Sequence, residues 1–159
     1  MRTNRFAIFT TLLLLAALAL AVTAAAADQH SGTWKMNPAK SKYSPGPAPK
    51  STTVKVEADE KGVEIDAKIV NADGSPAHVE YDAKFDGKDY PVTGLPNADT
   101  VSVKRIDADT IEATMKKGGQ VTMIVTTKLS KDGKTRTSTF KGKDAEGHAV
   151  NNVVVSDKQ

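Results

Sequence analysis

The chain has 159 residues, of which 22 are Lys or Arg, 19 Asp or Glu and 3 His, for a formal charge of +3, and it has no Cys. One domain with a real core fits that length, while disulfides, thiolate nucleophiles and thiolate metal sites are excluded. Aromatic residues make up 5% of the chain, too few for a broad platform on which bases or sugars would stack.

The first segment carries Arg2 and Arg5 with no acid, then 17 residues from Phe6 to Val22 that are apolar apart from Thr10 and Thr11, then Ala24 to Ala27 before the polar Asp28-Gln29-His30. A charged start, an apolar stretch and a small-residue A-x-A site predict an export signal cut after Ala27. The alternative is an uncleaved anchor, with an apolar run at the lower edge of the roughly 17–25 residues that span a bilayer. Cleavage leaves one domain, residues 28–159, in a periplasm or outside the cell. Two basic residues and no acids leave with the signal, so the remainder carries a net +1. Lys and Asp/Glu alternate along it, so it has no basic patch for nucleic acid, and no membrane contact is implied after cleavage.

Strands are predicted over Gly32–Met36, Ser51–Ala58, Val63–Val70, Ala77–Phe85, Asp89–Thr93, Thr100–Ile106, Thr110–Lys116, Gln120–Leu129, Thr135–Lys141 and Val150–Ser156. Val63, Ile65, Ala67 and Ile69 share one parity, with Glu64, Asp66 and Lys68 on the other; Val79, Tyr81 and Ala83 oppose His78, Glu80 and Asp82. Period-2 alternation with one charged face is the pattern of a half-buried antiparallel strand, and no run keeps the 3.6 spacing of a helix. Turns fall at Glu60-Lys61-Gly62, Asp73-Gly74, Asp86-Gly87, Gly118-Gly119, Asp132-Gly133 and Glu146-Gly147, where glycine supplies the positive φ of a tight hairpin. Short connections make successive strands antiparallel neighbours. The exception is Pro38 to Lys50, whose four prolines predict a semi-rigid extended link. Pro91 to Asn97 predicts a second constrained loop, with Tyr90, Pro91, Leu95 and Pro96 as a candidate lip.

An open meander of this length exposes two edges, so the expectation is an all-β, up-and-down antiparallel sheet of about eight to ten strands, closed into a barrel or flattened into a sandwich. About eight strands are just filled by side chains. Ten strands lined by Val, Ala, Ile and Thr leave a void for water or a small apolar ligand.

Gly32-Thr33-Trp34-Lys35 resembles the G-x-W start of lipocalins and fatty-acid-binding proteins, the calycin group. The resemblance implies an up-and-down barrel with structural roles for Gly32 and Trp34, the Trp plugging the closed end and a late basic residue packing over it. The strand count is similar to the fatty-acid-binding type, but the Pro-rich link stands where those proteins insert two short helices. GTWKMNPAKSKYSPGPAP, DGKDYPVTG and VNNVVV together resemble a set of small exported bacterial proteins of unassigned function.

Candidate chemistry is sparse. His78, Glu80 and Asp82 share one strand face, a spacing that could touch one metal ion, but the face is the hydrophilic one and the reading adopted is a solvated face, with no metal and no cofactor. His30 is expected to be mobile at the new N-terminus, and His148 to sit in a surface turn. No G-x-S-x-G or phosphate loop is present, so no catalytic residue is assigned and the protein is read as a non-enzyme. Outside the signal the chain has 18 Lys but only Arg105 and Arg136. Arg105 shares the inward parity of Val101 and Val103, unless a bulge turns Ile106 inward instead. The calycin resemblance implies Arg105 or Arg136 as the anchor of a ligand carboxylate; alternatively Arg136 stacks on Trp34 as a cation–π cap. Tyr81, Phe85, Met115 and Met123 would line any cavity or fill the core. The leading expectation is an exported lipocalin-like protein binding a small apolar or amphipathic ligand. The alternative is a structural or interaction domain with a filled core.

Overall fold

The computed structural model describes residues 28–159, so the predicted export signal lies outside the described residues. Ten strands form where period-2 alternation and glycine turns place them: β1 Gly32–Met36, β2 Ser51–Ala58, β3 Gly62–Val70, β4 Pro76–Lys84, β5 Asp89–Thr93, β6 Thr100–Arg105, β7 Thr110–Lys117, β8 Gln120–Leu129, β9 Thr135–Lys143 and β10 Ala149–Lys158. Each pairs antiparallel with the next, and β1 pairs with both β2 and β10, so the sheet is a closed barrel and not a flattened sandwich. The bounds differ from expectation by two residues at most. The largest differences have a tertiary cause: the β9–β10 ladder runs to Lys143↔Ala149 at the turn, and β10 continues to Lys158 because Lys158 pairs with Trp34.

Closure fixes which parity faces inward. Trp34, Val56, Val63, Ile65, Val79, Ala83, Val101, Val103, Ala113 and Val125 make one buried cluster, while the acidic and lysine-bearing faces of β2, β3 and β4 stay in water. Ile106 is 57% exposed, so no bulge turns it inward and Arg105 keeps the inward parity of its strand. The Pro-rich link does not leave the barrel. Lys42 forms a bridge with Val153, and the Asn151 amide donates to the Ser44 carbonyl at 2.9 Å, so the link extends the short β1 ladder along β10.

One seam is thin. Between β4 and β5 only Glu80↔Thr93 and Tyr81↔Val92 pair. Just beyond it, Gly94 presses its Cα against β4: a Cβ there would lie 1.7 Å from the His78 carbonyl oxygen, and φ is +81°. Only glycine meets both conditions. This contact carries Leu95 over the barrel interior, the one residue of the expected lip that lines the cavity described below. We expect Gly94→Ala to destabilise the fold by at least about 2 kcal/mol, read as a lowered midpoint in urea unfolding; an unchanged midpoint would show that the seam tolerates a side chain.

Candidate functional site

One end of the barrel is closed by the segment that precedes β1. Residues 28–31 turn back on themselves, with the Ser31 amide donating to the Asp28 carbonyl at 2.9 Å. The Ser31 hydroxyl donates to the Ala58 carbonyl at 3.0 Å and accepts from the Ala58 amide at 2.9 Å, which sews the segment to the end of β2. The Trp34 indole Nε1 donates to the His30 carbonyl at 3.0 Å, and the Lys158 ammonium donates to the Gln29 carbonyl at 3.1 Å. Lys158 also lies 5.0 Å from the centre of the Trp34 ring. The cation over the tryptophan is therefore Lys158 and not Arg136, because pairing with Trp34 puts Lys158 on the inward face beside it.

Arg105 belongs to this plug. Its guanidinium pairs with the Asp28 carboxylate, donates to the Asp59 carbonyl at 3.1 Å and stacks 4.5 Å from the centre of the Phe85 ring. Its charge is already balanced, and neither Arg105 nor Phe85 lines the cavity.

Behind the plug lies a cavity of about 180 Å3. Its walls are the inward residues of β2, β3, β4, β7 and β8, such as Val54, Ile65, Val79 and Met115, with Leu95 and Phe140 among the remaining lining residues. Its polar groups are few: Thr52, His30, Tyr81, Arg136 and the Thr127–Ser138 hydroxyl pair at 2.9 Å. Met123 packs on the core cluster outside the cavity wall.

Arg136 sits at the start of β9, opposite Leu129 of β8 and Ser156 of β10. It is half-buried and lines the cavity, and burial draws its pKa below the usual arginine value. An arginine nevertheless keeps its proton in a protein. Among the described residues it makes no side-chain hydrogen bond and no ion pair. Burial pushes the Tyr81 phenol up, an effect partly offset by the nearby charge of Arg136.

His30 is not a mobile terminal residue. It is 2% exposed and lines the cavity, because the hydrogen bond from Trp34 Nε1 and the one from its own amide to Asp28 Oδ1, at 2.9 Å, pin its backbone inside the plug. Its Nε2 is buried without a partner. Burial lowers its pKa to about 4; Arg105 and Arg136 push the same way, and Asp28 and Asp109 oppose them. The ring is neutral at pH 7. The sequence signal for this residue is slight: a histidine two positions before the strand that carries the end-plugging Trp34.

Elsewhere the imidazoles face outward. His78 Nε2 lies 3.0 Å from Asp66 Oδ1 and 3.4 Å from Glu80 Oε1, so the cross-strand carboxylate of β3, rather than Asp82, completes that group. His148 Nδ1 lies 3.1 Å from Asp144 Oδ2 in the β9–β10 turn. Both are exposed pairings on the solvated side of the barrel.

No family model matches the sequence, and a search of curated proteins finds no match. Among solved structures the chain is similar to zebrafish ileal bile acid-binding protein complexed with cholic acid, at a TM-score of 0.49 and 14% identity, over 82% of this chain and 99% of that one. The likeness of the longer strings to small exported bacterial proteins rests on those strings alone.

The buried imidazole makes stability depend on pH in a defined direction. Between about pH 6.5 and 4 the unfolded chain binds a proton at His30 that the folded chain refuses, so folding stability falls as pH falls through that window. Comparing the protein with His30→Gln by urea unfolding at pH 7 and pH 4, we expect the unsubstituted chain to lose up to about 3 kcal/mol more than the variant. Equal losses would mean that His30 takes up its proton in the folded state.

Proposed function

We propose that the barrel is a non-enzymatic binding protein for a small amphipathic carboxylate, holding the apolar body of the ligand in the cavity and its carboxylate against Arg136. The observation that carries this reading is the Arg136 guanidinium, facing an apolar cavity with no anion among the described residues to balance it. An unpaired charge held away from water costs several kcal/mol. A carboxylate entering the cavity would remove that cost through charge-assisted N–H···O bonding. Arg105 does not compete for the role, since Asp28 already holds it.

Cavity volume bounds the ligand. An apolar cavity of about 150 Å3 takes up benzene, so about 180 Å3 suits one ring or a short chain. The same volume is about six waters at their liquid density, which counts against the alternative of a filled core acting through its surface. In this reading the Thr127 and Ser138 hydroxyls, bonded to each other, line the wall beside the ligand. Export after a cut at Ala27, proposed from the sequence, would place the binding outside the cytoplasm.

Benzoate and benzyl alcohol share a ring and differ in charge, which makes them a suitable pair of probes. Followed by NMR titration, benzoate should bind with a dissociation constant at or below about 1 mM, and Arg136→Met should weaken it at least about tenfold. Benzyl alcohol should bind both proteins alike. Benzoate binding that survives Arg136→Met unchanged, or no uptake of either probe, would overturn the proposal.

A further inference from the structure

Arg136 is not the only polar group on the cavity lining, and the second one does not belong to the barrel wall. His30 is contributed by the plug, is 2% exposed, lines the cavity and leaves Nε2 buried without a partner. Its backbone is fixed on both sides, the amide by Asp28 Oδ1 and the carbonyl by Trp34 Nε1, so the ring is held where it is by the same contacts that close the barrel. The Asp28 carboxylate makes no bond to the ring: Oδ1 accepts from the His30 amide and Oδ2 from Arg105. Two polar groups, one cationic and one neutral, are thus left facing the same small apolar space.

We propose that His30 Nε2–H donates the second hydrogen bond to the ligand carboxylate, one oxygen of which meets Arg136 and the other His30, so that the N-terminal plug is part of the binding site. The proposal rests on the carboxylate reading of the cavity and narrows it. One guanidinium balances one negative charge, and a neutral imidazole adds a donor without adding charge. The class is therefore a monoanion such as a carboxylate, and not a phosphate monoester, whose second charge would have no counterpart. A carboxylate offers only acceptors, so it selects the tautomer with the proton on Nε2. Because His30 comes from outside the wall, an occupied cavity also ties the plug to β9.

The test uses benzoate as the probe, with benzyl alcohol as its uncharged counterpart. In long-range nitrogen–proton spectra of the imidazoles, saturating benzoate should shift His30 to the Nε2–H tautomer, while benzyl alcohol should leave it unmoved. His30→Phe, which keeps a ring but no polar atom, should weaken benzoate about tenfold. His30→Gln, which keeps an N–H donor, should recover most of that loss, and benzyl alcohol should bind all three proteins alike. If His30→Phe binds benzoate as tightly as the unsubstituted protein while Arg136→Met does not, the role of His30 is refuted and the carboxylate reading stands. If neither probe enters the unsubstituted protein, both fall together. Should His30→Phe fail to fold, the imidazole spectra decide alone: a His30 signal indifferent to saturating benzoate would overturn the proposal.

Discussion

Strand β1 is five residues long, yet it is hydrogen-bonded along both edges, to β2 on one side and to β10 on the other. Without it the chain is a nine-strand meander with two free edges, open to pairing with other chains. With it, every strand has two neighbours and the inward parity is the same all the way round. The rest of the architecture follows from that closure. Trp34 is carried to the barrel end, Lys158 is brought opposite it, and residues 28–31 have a floor to rest on. The Pro-rich link supports the arrangement by continuing the β10 edge where β1 stops.

The two arginines among the described residues show how position rather than type sets the role of a charge. Both begin from inward-facing strand positions at the plugged end of the barrel. Arg105 ends its strand at the rim, where Asp28, a backbone carbonyl and the Phe85 ring surround it. The result is a tie between the N-terminal segment and the wall. Arg136 begins its strand, and its guanidinium reaches the interior instead. The neutral state of His30 follows chiefly from burial, which with two neighbouring cations outweighs two carboxylates.

Much of this architecture is legible in the order of the amino acids. Alternation along Val63–Ile69 and Val79–Ala83, with Asp-Gly turns between strands, marks the ladder because a strand repeats every two residues whatever its partners are. Parity alone brings Tyr81 and Met115 to the inner face, Arg136 enters only through the calycin resemblance, and G-x-W marks the plugged end. Parity does not report depth along a strand, so it cannot separate Arg105 at the rim from Arg136 within. It also cannot foresee His30, which lies in no strand and owes its burial to a hydrogen bond with Trp34. The pairing of His78 with Asp66 is hidden for a related reason, since cross-strand register depends on the turn between β3 and β4. Closed barrel and flattened sandwich share one alternation, and only the β1–β10 ladder distinguishes them.

The thin seam at β5 has a kinetic meaning. Proteins open first where the fewest bonds must break. Strand β5 joins β4 through two residue pairs and β6 through three, and the loop that follows it carries Leu95 over the interior. Opening at this seam breaks few ladder bonds, so the backbone amides of β5 should exchange with solvent ahead of those in the longer ladders. The plug and the Trp34 end are held by separate bonds, from Ser31 to Ala58, Trp34 to His30 and Lys158 to Gln29, so loosening of β5 leaves those bonds unbroken.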